Sequence, residues 1–161
     1  ININILLYKM EIDDLDEILE NARKDATLLS SIDIDSLLEN IDHNDLENKT
    51  LDSIAHENQL VLEILSLNKD TLKSYFDRLA GFTHINDLYQ IHKGKYIRWI
   101  NSKNQLTNGG IVVDILFNNN GTNIMVRNSM NKIIQIKYDS NTIFQKLTTQ
   151  EQLLLLAYNY V

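Results

Sequence analysis

With 161 residues, 43% of them hydrophobic and 23% charged, the chain is sized and composed for one domain or two small modules. A net charge of −7 at that apolar content excludes a disordered acidic tail, and no uninterrupted apolar run approaches the about 18 residues that a membrane-spanning helix needs. The absence of cysteine excludes a disulfide framework and a thiolate metal site, and is compatible with a reducing intracellular compartment.

The charge is unevenly spread. Residues 1–80 carry seven basic and eighteen acidic side chains, whereas residues 81–161 carry eight basic and four acidic, so −11 is joined to +4. Such halves suit either an acidic solvated surface beside a mildly basic one, or docking of opposite charges. Proline is absent, while Asn, Ile, Leu and Lys abound, a bias expected of an AT-rich genome. The chain starts at Ile1 rather than Met, as expected of a fragment or a processed product.

In ININILLYKM, apolar residues at Ile1, Ile3, Ile5 and Leu7 repeat with a period of two, which predicts an edge strand or a pairing arm. From Asp13 the period changes to that of a helix. Leu15, Ile18, Leu19, Ala22 and Ala26 share one face, with Asp13 or Asp14 as cap. A second helix is predicted through Ile34, Leu37, Leu38 and Ile41, capped by Asp33 or Asp35. A third starts near Thr50, its stripe of Leu51, Ile54, Ala55, Val61, Leu62 and Leu65 interrupted by Asn58. Asn68 caps a fourth, with Leu72, Tyr75, Phe76 and Leu79 inward and Gly81 just past its end. Thr83 is expected to cap a short fifth helix through Ile85, Leu88 and Tyr89.

From Lys93 the texture becomes that of a small antiparallel β-unit. Strand YIRWI turns Ile97 and Trp99 to one side and Arg98 to the other. In GIVVDILF, placing Asp114 in water puts Ile111, Val113 and Ile115 inside. Asn119-Asn120-Gly121 makes a hairpin turn. Ile124 and Val126 then face in, and Ile134, Ile136 and Tyr138 form the next inner row. After Asp139-Ser140-Asn141 comes the strand IFQKL. Thr148 and Glu151 form a T-x-x-E capping box that opens a last helix, apolar all round at Leu153–Leu156. That helix is expected to wedge between the two modules and cover Val112, Leu116, Met125 and Ile133.

The expected fold is therefore α+β: an acidic helical module with an edge strand (1–92), a five-stranded antiparallel barrel (93–147) and a docking helix (148–161). The order of strand, longer loop, three meandering strands, short turn and last strand resembles the SH3-like or Tudor-like small barrel.

Chemistry is sparse. His43, His56, His84 and His92 lack ligand spacing. The acidic pairs in DDLD and DIDS lack the glycine and glutamate of a calcium loop, so they read as helix starts. No metal or cofactor is expected. Asp114 with Gln135-Ile136-Lys137 loosely resembles the D…(D/E)xK pattern of metal-dependent nucleases, but Gln135 stands where the second carboxylate belongs. Arg98, Lys103, Arg127, Lys132 and Lys137 could gather on the outer barrel face as a nucleic-acid site. Ile1, Ile3, Ile5, Leu153, Leu156, Tyr158 and Tyr160 are the candidates for partner binding.

The stretches GKYIRWIN, LTNGGIVVDI and IFQKLTTQEQLLLLAYNY resemble uncharacterised proteins of large AT-rich DNA viruses of eukaryotes. The resemblance implies a non-enzymatic virion or assembly component, such as a minor capsid protein, in the virion or the infected cell's cytoplasm. Its partners would be other protein subunits of a larger assembly. A nucleic-acid-binding accessory protein is the second reading and a degenerate nuclease the third.

Overall fold

The structure is a computed structural model that describes residues 12–25, 27, 46 and 49–160. It is mixed helix and antiparallel sheet, α+β as expected. The helices are α1 (Ile12–Lys24), α2 (Leu51–Ile64), α3 (Lys69–Arg78) and α4 (Thr149–Tyr160). The strands are β1 (Phe82–His84), β2 (Tyr96–Ile100), β3 (Gly110–Asn118), β4 (Gly121–Arg127), β5 (Ile133–Lys137) and β6 (Thr142–Lys146). The predicted edge strand at Ile1–Leu7 and the predicted second helix lie outside the described residues.

The chain divides into two compact units, one of residues 1–54 with 147–161 and one of residues 55–146. In the first, α1 packs with α4, burying Leu19 and Ala22. Leu46, Ile54, Leu147 and Leu155 form a cluster with Leu51 against it. Helix α4 starts as its capping box dictates: Glu151 N donates to Thr148 Oγ1 (3.1 Å) and Thr148 N to Glu151 Oε1 (3.0 Å). Arg23 Nη2 donates to Gln152 Oε1 at 2.6 Å, and Thr149 Oγ1 to Asp16 Oδ1 at the same distance.

The second unit holds a six-stranded sheet ordered β1-β6-β2-β3-β4-β5. Six strands replace the expected five, and the sheet does not close into a barrel. Its central strands β2 and β6 are buried on both faces. On one face Ile97, Trp99 and Ile143 meet Val112, Ile124, Val126 and Ile136, capped by Ile85 and Ile91 from the loop after β1. On the other, Ile100, Phe144 and Phe82 pack with Leu62 and Leu79, with Val61 of α2 and Leu72, Tyr75 and Phe76 of α3 against them. Asn68 caps α3 as predicted, its side chain accepting from Thr71 N at 2.8 Å.

Two local expectations are corrected. Thr83 does not cap a helix: Phe82–His84 is a strand paired with β6, and the turn that follows is a 3₁₀ helix, Leu88–Gln90, capped by Asp87. The pull towards strand is non-local. Asn58, the polar break in the α2 stripe, is buried; its Nδ2 donates to Phe82 O (2.9 Å) and its Oδ1 accepts from His84 N (3.1 Å). A side-chain amide thus supplies β1 with the donor and acceptor of a neighbouring strand.

The second correction concerns β3. The register slips between Val112 and Asp114, so Val113 is a bulge residue and the alternation changes phase there. Val112 is the residue inside, 1% exposed, while Ile111 is 39% exposed. Beyond the bulge Ile115 packs against the core as expected. Leu116 and Ile133, expected to be covered, are exposed.

Burial is the leading cause of a lowered pKa at His84, whose ring lies 5.4 Å from that of Phe144. The folded chain thus favours neutral His84, a stabilisation present above the ordinary value of 6.5 and lost as pH falls through the folded value. Urea midpoints are therefore expected to fall between about pH 7.5 and about pH 5.5, and to fall less in His84→Gln. An equal fall in both proteins would contradict this role.

Candidate interaction surface

Strands β3, β4 and β5 turn Val112, Ile124, Val126 and Ile136 to the core. Their other face is built row by row from the register: Ile111, Arg127 and Ile133; then Asp114, Met125 and Gln135; then Leu116, Asn123 and Lys137, of which Asn123 is itself buried. Ile133 is 52% exposed and Leu116 41%, so the face carries isolated apolar side chains among Arg127, Gln135 and Lys137. The bulge at Val113 creates this surface, because it turns Ile111 out.

The five basic residues predicted for nucleic acid are not all brought together. Arg127 and Lys137 share the outer face, and Lys132 stands at the turn leading into β5. No ion pair engages these three among the described residues. Lys103 is exposed in the β2–β3 loop. Arg98 is placed differently, half-buried in register with Phe144. Its Nε donates to Thr107 O (2.9 Å) and its Nη1 to Arg78 O (3.1 Å). Burial first, then the Arg78 charge, pushes its pKa down. Its donors hold the β2–β3 loop and the end of α3.

Asp114 is engaged by Lys93, Nζ to Oδ1 at 3.1 Å, and its Oδ1 also accepts from Ile115 N. These contacts hold its pKa below the ordinary carboxylate value. Gln135 lies in the same row as Asp114, but Lys137 lies in the next outer row. Among the described residues no three His, Asp or Glu side chains are grouped to hold a metal, and no helix is long and apolar enough to cross a membrane.

Of the predicted partner-binding residues, Leu153 is fully buried, whereas Leu156 and Tyr158 are half-buried. The run Leu153–Leu155 is thus core within this chain. Ile1, Ile3, Ile5 and the Tyr160 side chain lie outside the described residues. What sequence reasoning missed was the exposed row Ile111–Ile133, for which a bulge gives no signal in the residue pattern. No protein family, curated protein or solved structure matches the chain.

Proposed function

We propose that this is a non-enzymatic structural or interaction protein, acting through protein–protein contacts as a minor capsid or other assembly component of a virion. The observation that carries the reading is the outer face of β3–β5, where Ile111, Leu116 and Ile133 stand exposed among Arg127 and Lys137. Apolar anchors within a polar rim suit docking of another protein better than a phosphate backbone. The likeness of the sequence to proteins of large AT-rich DNA viruses supports the virion setting. The order β6-β2-β3-β4-β5, with the 3₁₀ turn Tyr138–Ser140 before β6, supports an SH3-like reading in which β1 is an added edge.

A nucleic-acid-binding accessory protein is the second reading, favoured by Arg127, Lys132 and Lys137 at β4 and β5, which no ion pair engages among the described residues. Fluorescence anisotropy of labelled DNA and RNA separates the two. The proposed function expects no saturable binding at low salt.

A further inference from the structure

We infer that β5 pairs edge to edge with β5 of a second copy, antiparallel, about a two-fold axis through Gln135. This rests on the reading of the chain as an interaction protein and names one of its partners. An open sheet has two edges, and the chain treats them differently. At β1 the outward groups Phe82 O and His84 N are both taken by Asn58. At β5 no such brace is made among the described residues.

Which β5 groups point outward follows from the hairpin. Asn128 N donates to Lys132 O at 2.9 Å, and Asn131, with φ 58°, completes the turn. Residues 128 and 132 are therefore a hydrogen-bonded pair, and alternation sends Ile134 and Ile136 towards β4. The N–H and C=O of Ile133, Gln135 and Lys137 face the edge. Among the described residues only Lys137 O has a partner there, Asn141 Nδ2 at 2.8 Å, which leaves it a second lone pair.

The strand IIQIK has no proline and no bulge along its ladder with β4, so its edge is an unbroken template for another strand. Pairing it with itself about Gln135 satisfies every outward group. Gln135 exchanges both bonds with Gln135 of the second copy, and Ile133 does the same with Lys137 of the second copy. The side chains agree with that register. No lysine stands opposite a lysine, Ile133 lies along the aliphatic stem of Lys137, and Lys132 approaches the end that carries Asp139. An edge this short buries less than the about 1,000 Å² of a stable interface, so the dimer is weak alone and strengthened by assembly.

Sedimentation equilibrium of the full chain from about 10 to about 500 μM tests this, with a reversible monomer–dimer equilibrium as the expected result. Gln135→Pro removes an outward N–H without touching the β4 ladder, and Gln135→Lys sets like charges across the axis. Each is expected to raise the dissociation constant at least about tenfold. Trp99 fluorescence in urea verifies the fold, and where the proline variant loses stability the lysine variant decides. A monomer throughout the range, or a dimer that survives the folded variants, overturns the inference. Nucleic-acid binding with the dimer intact would instead overturn the proposed function alone.

Discussion

Gly110→Ala is expected to destabilise the sheet unit by about 3 kcal/mol or more, a cost reserved for backbone collisions that cannot relax. Gly110 opens β3 where it crosses β2 and β4. A Cβ there would overlap Arg127 O and lie 2.7 Å from Val126 Cγ1. Neither neighbour can yield cheaply, because Arg127 belongs to the ladder with β5 and Val126 is fully buried. Gly109 is restricted for a second reason: its φ is +78°, and a Cβ would meet Ile97 O. The single tryptophan, Trp99, sits in the same core and reports unfolding of this unit. A urea titration that found Gly110→Ala within about 0.5 kcal/mol of the parent would show that β3 does not pass so close to β4.

Asn58→Ala is expected to cost about 2–4 kcal/mol, because it strands Phe82 O and His84 N at once. Loss of packing is minor by comparison, since Asn and Ala differ by one small polar group. Asn58→Asp should be worse at neutral pH, with a buried carboxylate facing a carbonyl oxygen and no donor to offer it. Protonation restores a donor, so that variant's deficit relative to the parent should shrink as pH falls through the carboxylate range. A deficit that instead held constant or grew on acidification would mean that Asn58 is not the donor to Phe82 O. The same amide logic operates at Gln145, buried in β6, whose Oε1 accepts from His92 N and whose Nε2 donates to Gln90 O.

These braces explain what could and could not be read from the residues alone. Asn68 as a cap, Thr148 with Glu151 as a box and the Asn119-Asn120-Gly121 turn are local chemistry, and their partners sit within a few residues. The strands from Tyr96 onwards were legible for the same reason, since turns and alternation punctuate them. Strand β1 was not. FTH is too short to show a period, and what makes it a strand is its pairing with β6, far along the chain, with Asn58 bracing its other edge. Nor was the bulge at Val113 legible, because an extra residue leaves the composition of GIVVDILF unchanged while moving Ile111 to the surface. Arg98 looked like a surface cation, yet its donors close a loop. For β1 and Arg98 the deciding interaction is made by a part of the chain distant in sequence.

The candidate surface was legible in part. Arg127, Lys132 and Lys137 were expected on the outer side of the β-unit, and the structure gathers them at β4–β5. The exposed apolar row beside them was expected inside or covered, because strict alternation and an over-apolar last helix both argued for burial. In the structure Leu153, Leu154 and Leu155 are buried, and Leu116 and Ile133 are exposed.

A fluorescence-anisotropy titration of the full chain with labelled duplex and single-stranded DNA and RNA, at about 50 and about 200 mM salt, tests the protein-contact reading most directly. No saturable binding is expected at either salt, because three cations interleaved with isoleucine and leucine make a poor phosphate track. Tight binding at the lower salt that collapses at the higher, and that is lost in Arg127→Glu or Lys137→Glu, would contradict it and make the outer sheet face a nucleic-acid site.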